Sequence, residues 1–241
     1  MVAVIGDVAV DYLLDLPVGV DRDEKAAAVA SHRLLGGTGA NSAAALASLG
    51  SRARLFANIG SDPYGRWVRA EVGRLDLESV HLAQRDGPTT HCTIIRQGRR
   101  RDVLVDIGVG AEPLDLDLDV LRECDLIYVS YAPRSVIALV EAGLGDRVVV
   151  GWEDWMTELS EVVDVLPKCR LLITNEFGWA TLMQSVAGQL KIAIETRGSK
   201  GARVHKLSHP ALDFAPLEVE AIVAAGAGAS FAATVCHYLA V

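Results

Sequence analysis

The sequence lacks the usual marks of secreted, metal-binding and nucleic-acid-binding proteins. Its four cysteines form no CxxC pair and match no zinc-ligand spacing, and isolated cysteines of this kind predict a reducing compartment. Positive charge is in the minority, with 23 Lys and Arg against 31 Asp and Glu and a net charge of −8. An acidic chain is a poor binder of nucleic acids and anionic membranes, so neither is predicted as a partner.

Long apolar runs are also absent. No stretch of about 18 uncharged apolar residues occurs, so no membrane-spanning helix is predicted. The N-terminal stretch MVAVIGDVAVDYLLDL has no basic n-region, and Asp7 and Asp11 interrupt its apolar residues. We therefore expect a first β-strand rather than a signal peptide, and a cytoplasmic protein.

The composition is that of a globular protein, with 51% hydrophobic and 22% charged residues in 241. Short apolar runs alternate with helix-like segments, which predicts a single α/β domain over residues 1–241 with a doubly wound, mostly parallel sheet flanked by helices. The predicted strands are residues 3–5, 53–57, 126–129, 148–150, 171–174 and 192–195. The predicted helices are residues 40–49, 64–74, 134–142, 155–166, 176–186 and 227–240.

Two stretches, residues 12–35 and 89–105, interrupt this alternation. The second contains HCTIIRQGRRRDVLV, two strand-like arms around a turn at Gly98. Strands that cannot join the central sheet would form a small sheet of their own. Because ligands bind at the carboxyl ends of such sheets, we predict a lid over a site. Exposed strand edges on that lid predict a homodimer formed through them.

Basic residues cluster in RQGRRRD, residues 96–102. We interpret this cluster as a solvated hairpin tip, with a phosphate or nucleic-acid contact as the alternative.

The strongest local signal is LLGGTGANSAAALASLG, residues 34–50. Gly36 and Gly37 allow a ligand or another backbone to approach closely, and Asn41 offers an amide near the start of a helix. A glycine-rich helix start with a small-residue packing face is the alternative interpretation. A dinucleotide site is disfavoured because no acidic residue ends a strand about 20 residues later. In GSDPYG, Asp62 is expected to cap a helix that begins at Pro63.

A second glycine turn, AAGAGASF, occupies residues 224–231 and runs into an apolar helix. Gly226 and Gly228 flank Ala227 at the predicted helix start. Free N–H groups at a helix N-terminus, with the helix dipole behind them, form an anion site. No acidic or basic side chain lies in this stretch, so the predicted site depends on the backbone.

Together these segments resemble the ribokinase-like, or PfkB, family of carbohydrate and nucleoside kinases, in order along nearly the whole chain. The matching segments are the predicted strand VAVIGDVAVD ending at Asp11, GGTGANSAAALASLG, GSDPYG, the lid-like stretches, ITNEFGW, TRGSKGA and GAGASF. The resemblance implies transfer of the γ-phosphoryl group of ATP, with Mg²⁺, to a hydroxymethyl group of a sugar or nucleoside.

The resemblance also implies site residues. For the substrate hydroxyls they are Asp11, Gly36, Gly37 and Asn41, and an Asp11 carboxylate suits a vicinal diol on chemical grounds alone. Along the nucleotide they are Asn175, Glu176, Thr196, Gly198 and Gly201. Around the moving phosphate they are Gly226, Ala227, Gly228 and the N–H of Ala229. No side chain is assigned as a metal ligand.

This chain departs from the family pattern at several acidic positions. Ala229 stands where the family has its aspartate base, and Val223 replaces a second aspartate. Gly178 replaces the glutamate of the NxxE element, although Glu176 lies nearby, and Ala9 replaces a common asparagine. A general base contributes roughly 10²–10⁴-fold to a rate, or about 3–5 kcal/mol of barrier. We therefore expect ligand binding to persist, strongly reduced turnover and weakened Mg²⁺ binding.

Several interpretations remain open at this level. The chain is a degenerate kinase that binds a sugar, nucleoside or nucleotide as a sensor or scaffold, or an altered or incomplete version of an active kinase, or an active kinase with a base elsewhere. An α/β nucleotide-binding regulator without catalytic descent is a further alternative. The predicted lid argues against that regulator, because excluding water serves chemistry more than simple binding.

Overall fold

The computed structural model describes residues 1–20, 25–98, 100–153, 159–217 and 226–240. The strands are β1 (Val2–Ile5), β2 (Ala9–Asp15), β3 (Ala30–Gly36), β4 (Ala53–Gly60), β5 (Ser79–Arg85), β6 (His91–Gln97), β7 (Arg100–Asp106), β8 (Leu126–Ser130), β9 (Val148–Trp152), β10 (Leu171–Asn175), β11 (Ile192–Thr196), β12 (Ala202–Lys206) and β13 (Leu212–Phe214). The helices are α1 (Thr38–Ser48), α2 (Pro63–Val72), α3 (Leu118–Arg122), α4 (Pro133–Glu141), α5 (Leu159–Val162), α6 (Glu176–Met183) and α7 (Ala227–Ala240).

A central sheet contains nine of these strands, in the order β13-β12-β11-β10-β9-β8-β1-β4-β5. The pairs from β11 to β5 are all parallel, and β12 and β13 add to one edge in antiparallel fashion. The strands β1 and β8 are buried along their whole length, as expected for a sheet covered on both faces. The predicted α/β fold with a mostly parallel sheet is confirmed.

A second sheet of four strands, in the order β3-β2-β6-β7, stands apart from the central one. It contains most of the two stretches that interrupt the βα alternation. The strands β6 and β7 pair in antiparallel register around Gly98, whose φ of 59° lies in the left-handed region. Both outer strands, β3 and β7, have one unpaired edge among the described residues. We call this four-stranded sheet the lid sheet.

The prediction of one first strand ending at Asp11 is wrong. The chain leaves the central sheet after β1 and enters the lid sheet at β2, so Asp11 is the third residue of a lid strand. A Cβ on Gly6 would lie 2.5 Å from the hydroxyl of Ser130, so a larger residue at the break would have to displace that hydroxyl. Asp7 then turns towards α1, where its carboxylate accepts a hydrogen bond from the N–H of Thr38 at 2.9 Å.

Apart from α5 and the unpredicted α3, the helices begin at or within two residues of their predicted starts, and α6 ends at Met183 rather than at residue 186. The side chain of Asp62 caps α2 by accepting from the N–H of Gly65 at 2.8 Å, with Pro63 in the first turn. The helix predicted at 155–166 falls partly on residues 154–158, outside the described residues, and α5 covers only Leu159–Val162 of the remainder. Within the described residues, none of the helices has both the length and the apolar character needed to cross a membrane.

Candidate active site

A cleft of about 510 Å³ lies between the lid sheet and the carboxyl ends of the central strands. It brings together four of the residues that the sequence singled out. Asp11 contributes from β2, Gly37 and Asn41 from the start of α1, and Gly226 from the turn before α7. The predicted substrate and anion-hole segments, which are about 190 residues apart in sequence, therefore face one space.

The carboxylate of Asp11 can accept a hydrogen bond from a ligand. Its Oδ1 atom is buried without a hydrogen-bond partner among the described residues, a costly state that a ligand hydroxyl would relieve. Burial raises the pKa of this carboxyl, and a hydrogen bond from Cys92 partly offsets the increase. Burial, followed by the nearby charge of Asp11, raises the pKa of the Cys92 thiol to about 12, so the thiol stays protonated as a donor.

Gly36 does not line the cleft, but its lack of a side chain leaves room for the carboxylate of Asp11. A Cβ at this position would lie 2.0 Å from Asp11 Oδ1, so only glycine lets the carboxylate occupy its observed place. Gly37 has a φ of 90° and lies against the backbone of Asp7, which explains the second glycine of the pair.

Asp7 lines the same cleft and was not singled out as a site residue by the sequence. Its carboxylate accepts from the N–H groups of Thr38 at 2.9 Å and Gly39 at 3.3 Å, and so caps α1. Loss of solvation on burial outweighs these bonds and raises the pKa of Asp7 to about 6. The available signal was an acidic residue directly after a buried strand, where the sheet ends.

The turn before α7 has the geometry of an anion site. Gly226 has a φ of 80°, and α7 extends for 14 residues behind the exposed N–H groups of Ala227 and Gly228. Ala229 lines a second, small cavity of about 50 Å³, and its carbonyl accepts a hydrogen bond from Ser42 Oγ at 3.4 Å. Val223, Ala224 and Ala225 lie outside the described residues.

The predicted nucleotide residues are divided between that small cavity and the surface. Asn175 and Thr196 line the cavity with Gly228 and Ala229. Asn175 also caps α6, and Thr196 donates to the Thr174 carbonyl at 3.2 Å. Among the described residues, Glu176, Gly198, Gly201 and Ala227 line neither space.

The remaining nucleotide residues lie where two neighbouring strands end. Gly198 and Gly201 belong to the turn after β11, and Glu176 follows β10. Gly198 and Gly201 have φ values of 55° and 92° on either side of a short turn after β11. Glu176 forms an ion pair with Lys200 at 3.0 Å. These contacts connect the end of β10 to the turn after β11.

Gly178, the position that the resemblance aligns with the NxxE glutamate, is closely packed in the structure. A Cβ at Gly178 would lie 2.1 Å from Thr174 Oγ1 and 2.8 Å from the ring of Trp152. Trp152 is 3% exposed, so its ring fills the space that a larger side chain at 178 would need.

The basic hairpin is only partly the solvated tip that was predicted. Arg100 is exposed and pairs with Asp102 at 3.2 Å. Arg101, the next residue of β7 and also exposed, lines the cleft with Val103 and Val105. Strand alternation could have separated the two arginines, but which of them meets the cleft depends on the tertiary fold and could not be predicted from the sequence.

Arg101 also lies opposite Arg96 across the pair of strands. Arg96 is held by both oxygens of Asp15, at 2.5 and 2.8 Å. Across the described residues, Arg101 makes no ion pair. The lid therefore places at the cleft a guanidinium that has no ion pair with any described residue.

Comparison with known proteins gives a consistent set of relatives. A model described as pfkB family carbohydrate kinase matches residues 1–240. The ATP-dependent ribose-1-phosphate kinase of Halopiger xanaduensis is 27% identical over 239 residues, covering 91% of this chain and 79% of that protein.

Solved structures share the fold at low sequence identity. Ribokinase from Thermotoga maritima superposes with a TM-score of 0.82 at 19% identity, over 100% of this chain and 86% of that one. Ribokinase from Arabidopsis thaliana, in complex with ribose and ATP, gives a TM-score of 0.75 at 19% identity, over 99% of this chain and 85% of that one.

Proposed function

This chain belongs to the pfkB family of carbohydrate kinases, and we propose that it transfers the γ-phosphoryl group of ATP to a hydroxymethyl group of a sugar or nucleoside. The observation that carries the proposal is the cleft itself. It places an unpartnered buried carboxylate oxygen of Asp11, suited to a vicinal diol, in one space with the turn before α7, suited to a phosphate.

We propose further that the preferred acceptor carries an anionic group. Arg101 supports this, because a guanidinium without an ion pair among the described residues faces the cleft and suits a phosphate. The curated relative that acts on ribose 1-phosphate points the same way. Such a substrate would present its diol to Asp11, its hydroxymethyl group towards the anion hole and its phosphate to the lid.

ATP and Mg²⁺ are the proposed cofactors. The solved relative with ribose and ATP bound supports nucleotide binding. The described residues contain no cluster of three acidic, histidine or cysteine ligands, which fits an ion held mainly by phosphate oxygens and water. Asn175 and Glu176 are the side chains that we assign to the nucleotide, Asn175 from the family's NxxE element and Glu176 from its position beside that element. Bound Mg²⁺ would neutralise charge on the transferred phosphoryl group.

The test is ADP release from ATP with four acceptors: ribose, ribose 1-phosphate, ribose 5-phosphate and inosine. We expect turnover with ribose 1-phosphate to exceed that with ribose. Ribose 5-phosphate is the matched control, because its hydroxymethyl oxygen is already esterified. Turnover of ribose 5-phosphate at the same rate as ribose 1-phosphate would contradict transfer to a hydroxymethyl group.

The role of Arg101 has its own comparison within that assay. Replacing Arg101 by Ala is expected to raise the KM for ribose 1-phosphate by roughly 10–100-fold, the loss of one charge-assisted contact, and to leave the KM for ribose nearly unchanged. Arg100→Ala removes an equal charge from the solvated face and serves as the control. Equal effects of the two substitutions would exclude an anion contact at Arg101.

The second candidate function is a catalytically inactive homologue that binds a sugar, nucleoside or nucleotide as a sensor or scaffold. The observation that favours it is Ala229, which places a methyl group at the family's base position. Assaying Ala229→Asp beside the unaltered chain separates the two functions. Turnover by the Asp variant alone, with ligand binding by both chains, would identify the unaltered chain as a binding module.

A further inference from the structure

We propose that Glu153 supplies the catalytic carboxylate that the family pattern places at position 229. This inference rests on the proposed phosphotransfer and adds a catalytic residue to it. Glu153 follows β9 at the carboxyl end of the central sheet. It lines both the substrate cleft and the small cavity beside Ala229. It therefore lies at the junction where an acceptor hydroxyl must meet the transferred phosphoryl group.

Glu153 is also close to the anion-hole turn. A Cβ built on Gly228 would lie 3.9 Å from Glu153 Oε1. The side chain thus reaches the segment in which Ala229 stands at the position of the family's aspartate. Of the described residues, the other carboxylates that line the cleft are Asp7 and Asp11. The carboxylate of Asp7 already accepts hydrogen bonds at the start of α1, and that of Asp11 is assigned to the diol of the proposed substrate.

Tyr131 holds Glu153 in place. A hydrogen bond joins the two side chains, and burial followed by the charge of Glu153 raises the pKa of the phenol. A further hydrogen bond links Tyr131 to Thr38 at the start of α1. Tyr131 has a φ of 53°, in the left-handed region that aromatic residues rarely adopt, and such strain is characteristic of functional sites.

Unpartnered polar atoms line the same small cavity. Within the described part of the chain, Ser130 Oγ, Trp152 Nε1 and Thr174 Oγ1 are buried without hydrogen-bond partners. Their side chains belong to residues no more than 3% exposed. Three unpaired polar atoms around about 50 Å³ indicate that the cavity receives a polar group, such as a phosphate oxygen, water or a carboxylate.

The proposed step is balanced without any further reactant. The acceptor O–H bond breaks and its proton passes to a Glu153 carboxylate oxygen. The acceptor oxygen forms a bond to the γ-phosphorus, and the bond from that phosphorus to the bridging oxygen breaks. ADP leaves with the electron pair, and the product is a phosphate monoester.

The experiment compares four proteins: the unaltered chain, Glu153→Gln, Ala229→Asp and the double variant. Ribose 1-phosphate and ATP are the substrates, and kcat and both KM values are measured. We expect Glu153→Gln to lower kcat by roughly 10²–10⁴-fold with KM values changed less than about threefold. Adding Ala229→Asp to Glu153→Gln is expected to recover at least about tenfold of that loss. Glu141→Gln, at the exposed end of α4, controls for the chemical change.

The outcomes separate this inference from the proposed function. If the unaltered chain turns over and Glu153→Gln has a similar kcat, Glu153 is not the base and the kinase function stands. A loss that Ala229→Asp leaves unrepaired, in a variant that still binds ribose 1-phosphate by calorimetry, also overturns the assignment. If the unaltered chain is inactive and Ala229→Asp is active, both the proposed function and the role of Glu153 are rejected.

Discussion

At the scale of single residues, glycines fix where the chemistry can occur. Gly36 makes room for the carboxylate of Asp11, and Gly178 makes room for the ring of Trp152. Gly36 thus accommodates the aspartate that the resemblance implies for substrate binding, whereas Gly178 stands where the resemblance implies a glutamate. The sequence contained both glycines, but their consequences depend on neighbours that are distant along the chain. For this reason Asp11 could be predicted from its motif, whereas Arg101, Glu153 and Tyr131 could not.

Asp7 gives a prediction at this scale. An unfolded aspartate titrates near 3.8 and folded Asp7 near 6, so the folded state holds an extra proton between these pH values. The unfolding free energy contributed by Asp7 therefore falls as pH rises through this window. Relative to the unaltered chain, Asp7→Asn should gain roughly 1–3 kcal/mol in unfolding free energy from about pH 4 to about pH 6. Urea unfolding at several pH values measures this difference.

Asp15→Asn is the control with the opposite sign. Its hydrogen bonds from Arg96 lower the pKa of Asp15, so the unaltered carboxylate stabilises the fold above its unfolded pKa. Asp15→Asn should therefore lose stability relative to the unaltered chain as pH rises. A pH dependence in Asp7→Asn identical to that of the unaltered chain would contradict the raised pKa of Asp7.

At the scale of elements, apolar strands were predictable and mixed strands were not. The predicted strands of the central sheet lie in buried runs such as β1 and β8. The edge strands β5 and β13, and β12 beside β13, carry polar and exposed residues, so neither an apolar run nor a clear alternation marks them. The break between β1 and β2 escaped prediction because apolar residues stand on both sides of Gly6 and Asp7, so that the two strands resemble one run in the sequence.

The lid sheet gives a prediction at this scale. Its edge strand β7 exposes Leu104 and Val105, which are 60% and 42% accessible, beside an edge with no strand partner among the described residues. Because such edges pair with other chains, we expect a dimer through the lid. Light scattering after size exclusion should give twice the mass of one chain. The substitution Leu104→Lys should shift the measured mass towards that of a single chain. Monomer alone at high concentration would contradict this expectation.

At the scale of the whole molecule, two sheets and the starts of two helices, α1 and α7, meet at the same cleft. The central sheet delivers Asp7, Tyr131 and Glu153 at its carboxyl ends, and the lid sheet delivers Asp11 and Arg101. The order of motifs along the chain was enough to predict the fold and the family. The distribution of charge within the cleft was not predictable, because it depends on which face of each strand meets the space.

The most direct measurement is identification of the product formed by the unaltered chain from ATP and ribose 1-phosphate, by ³¹P NMR. We expect ADP and a pentose bisphosphate whose new ester lies on the hydroxymethyl oxygen. A ³¹P signal from a new ester on the hydroxymethyl oxygen, absent when ribose 5-phosphate replaces ribose 1-phosphate, would support a cleft that binds acceptor and nucleotide together. Absence of any new ester, with ribose 1-phosphate and ATP both bound, would contradict phosphotransfer by this chain.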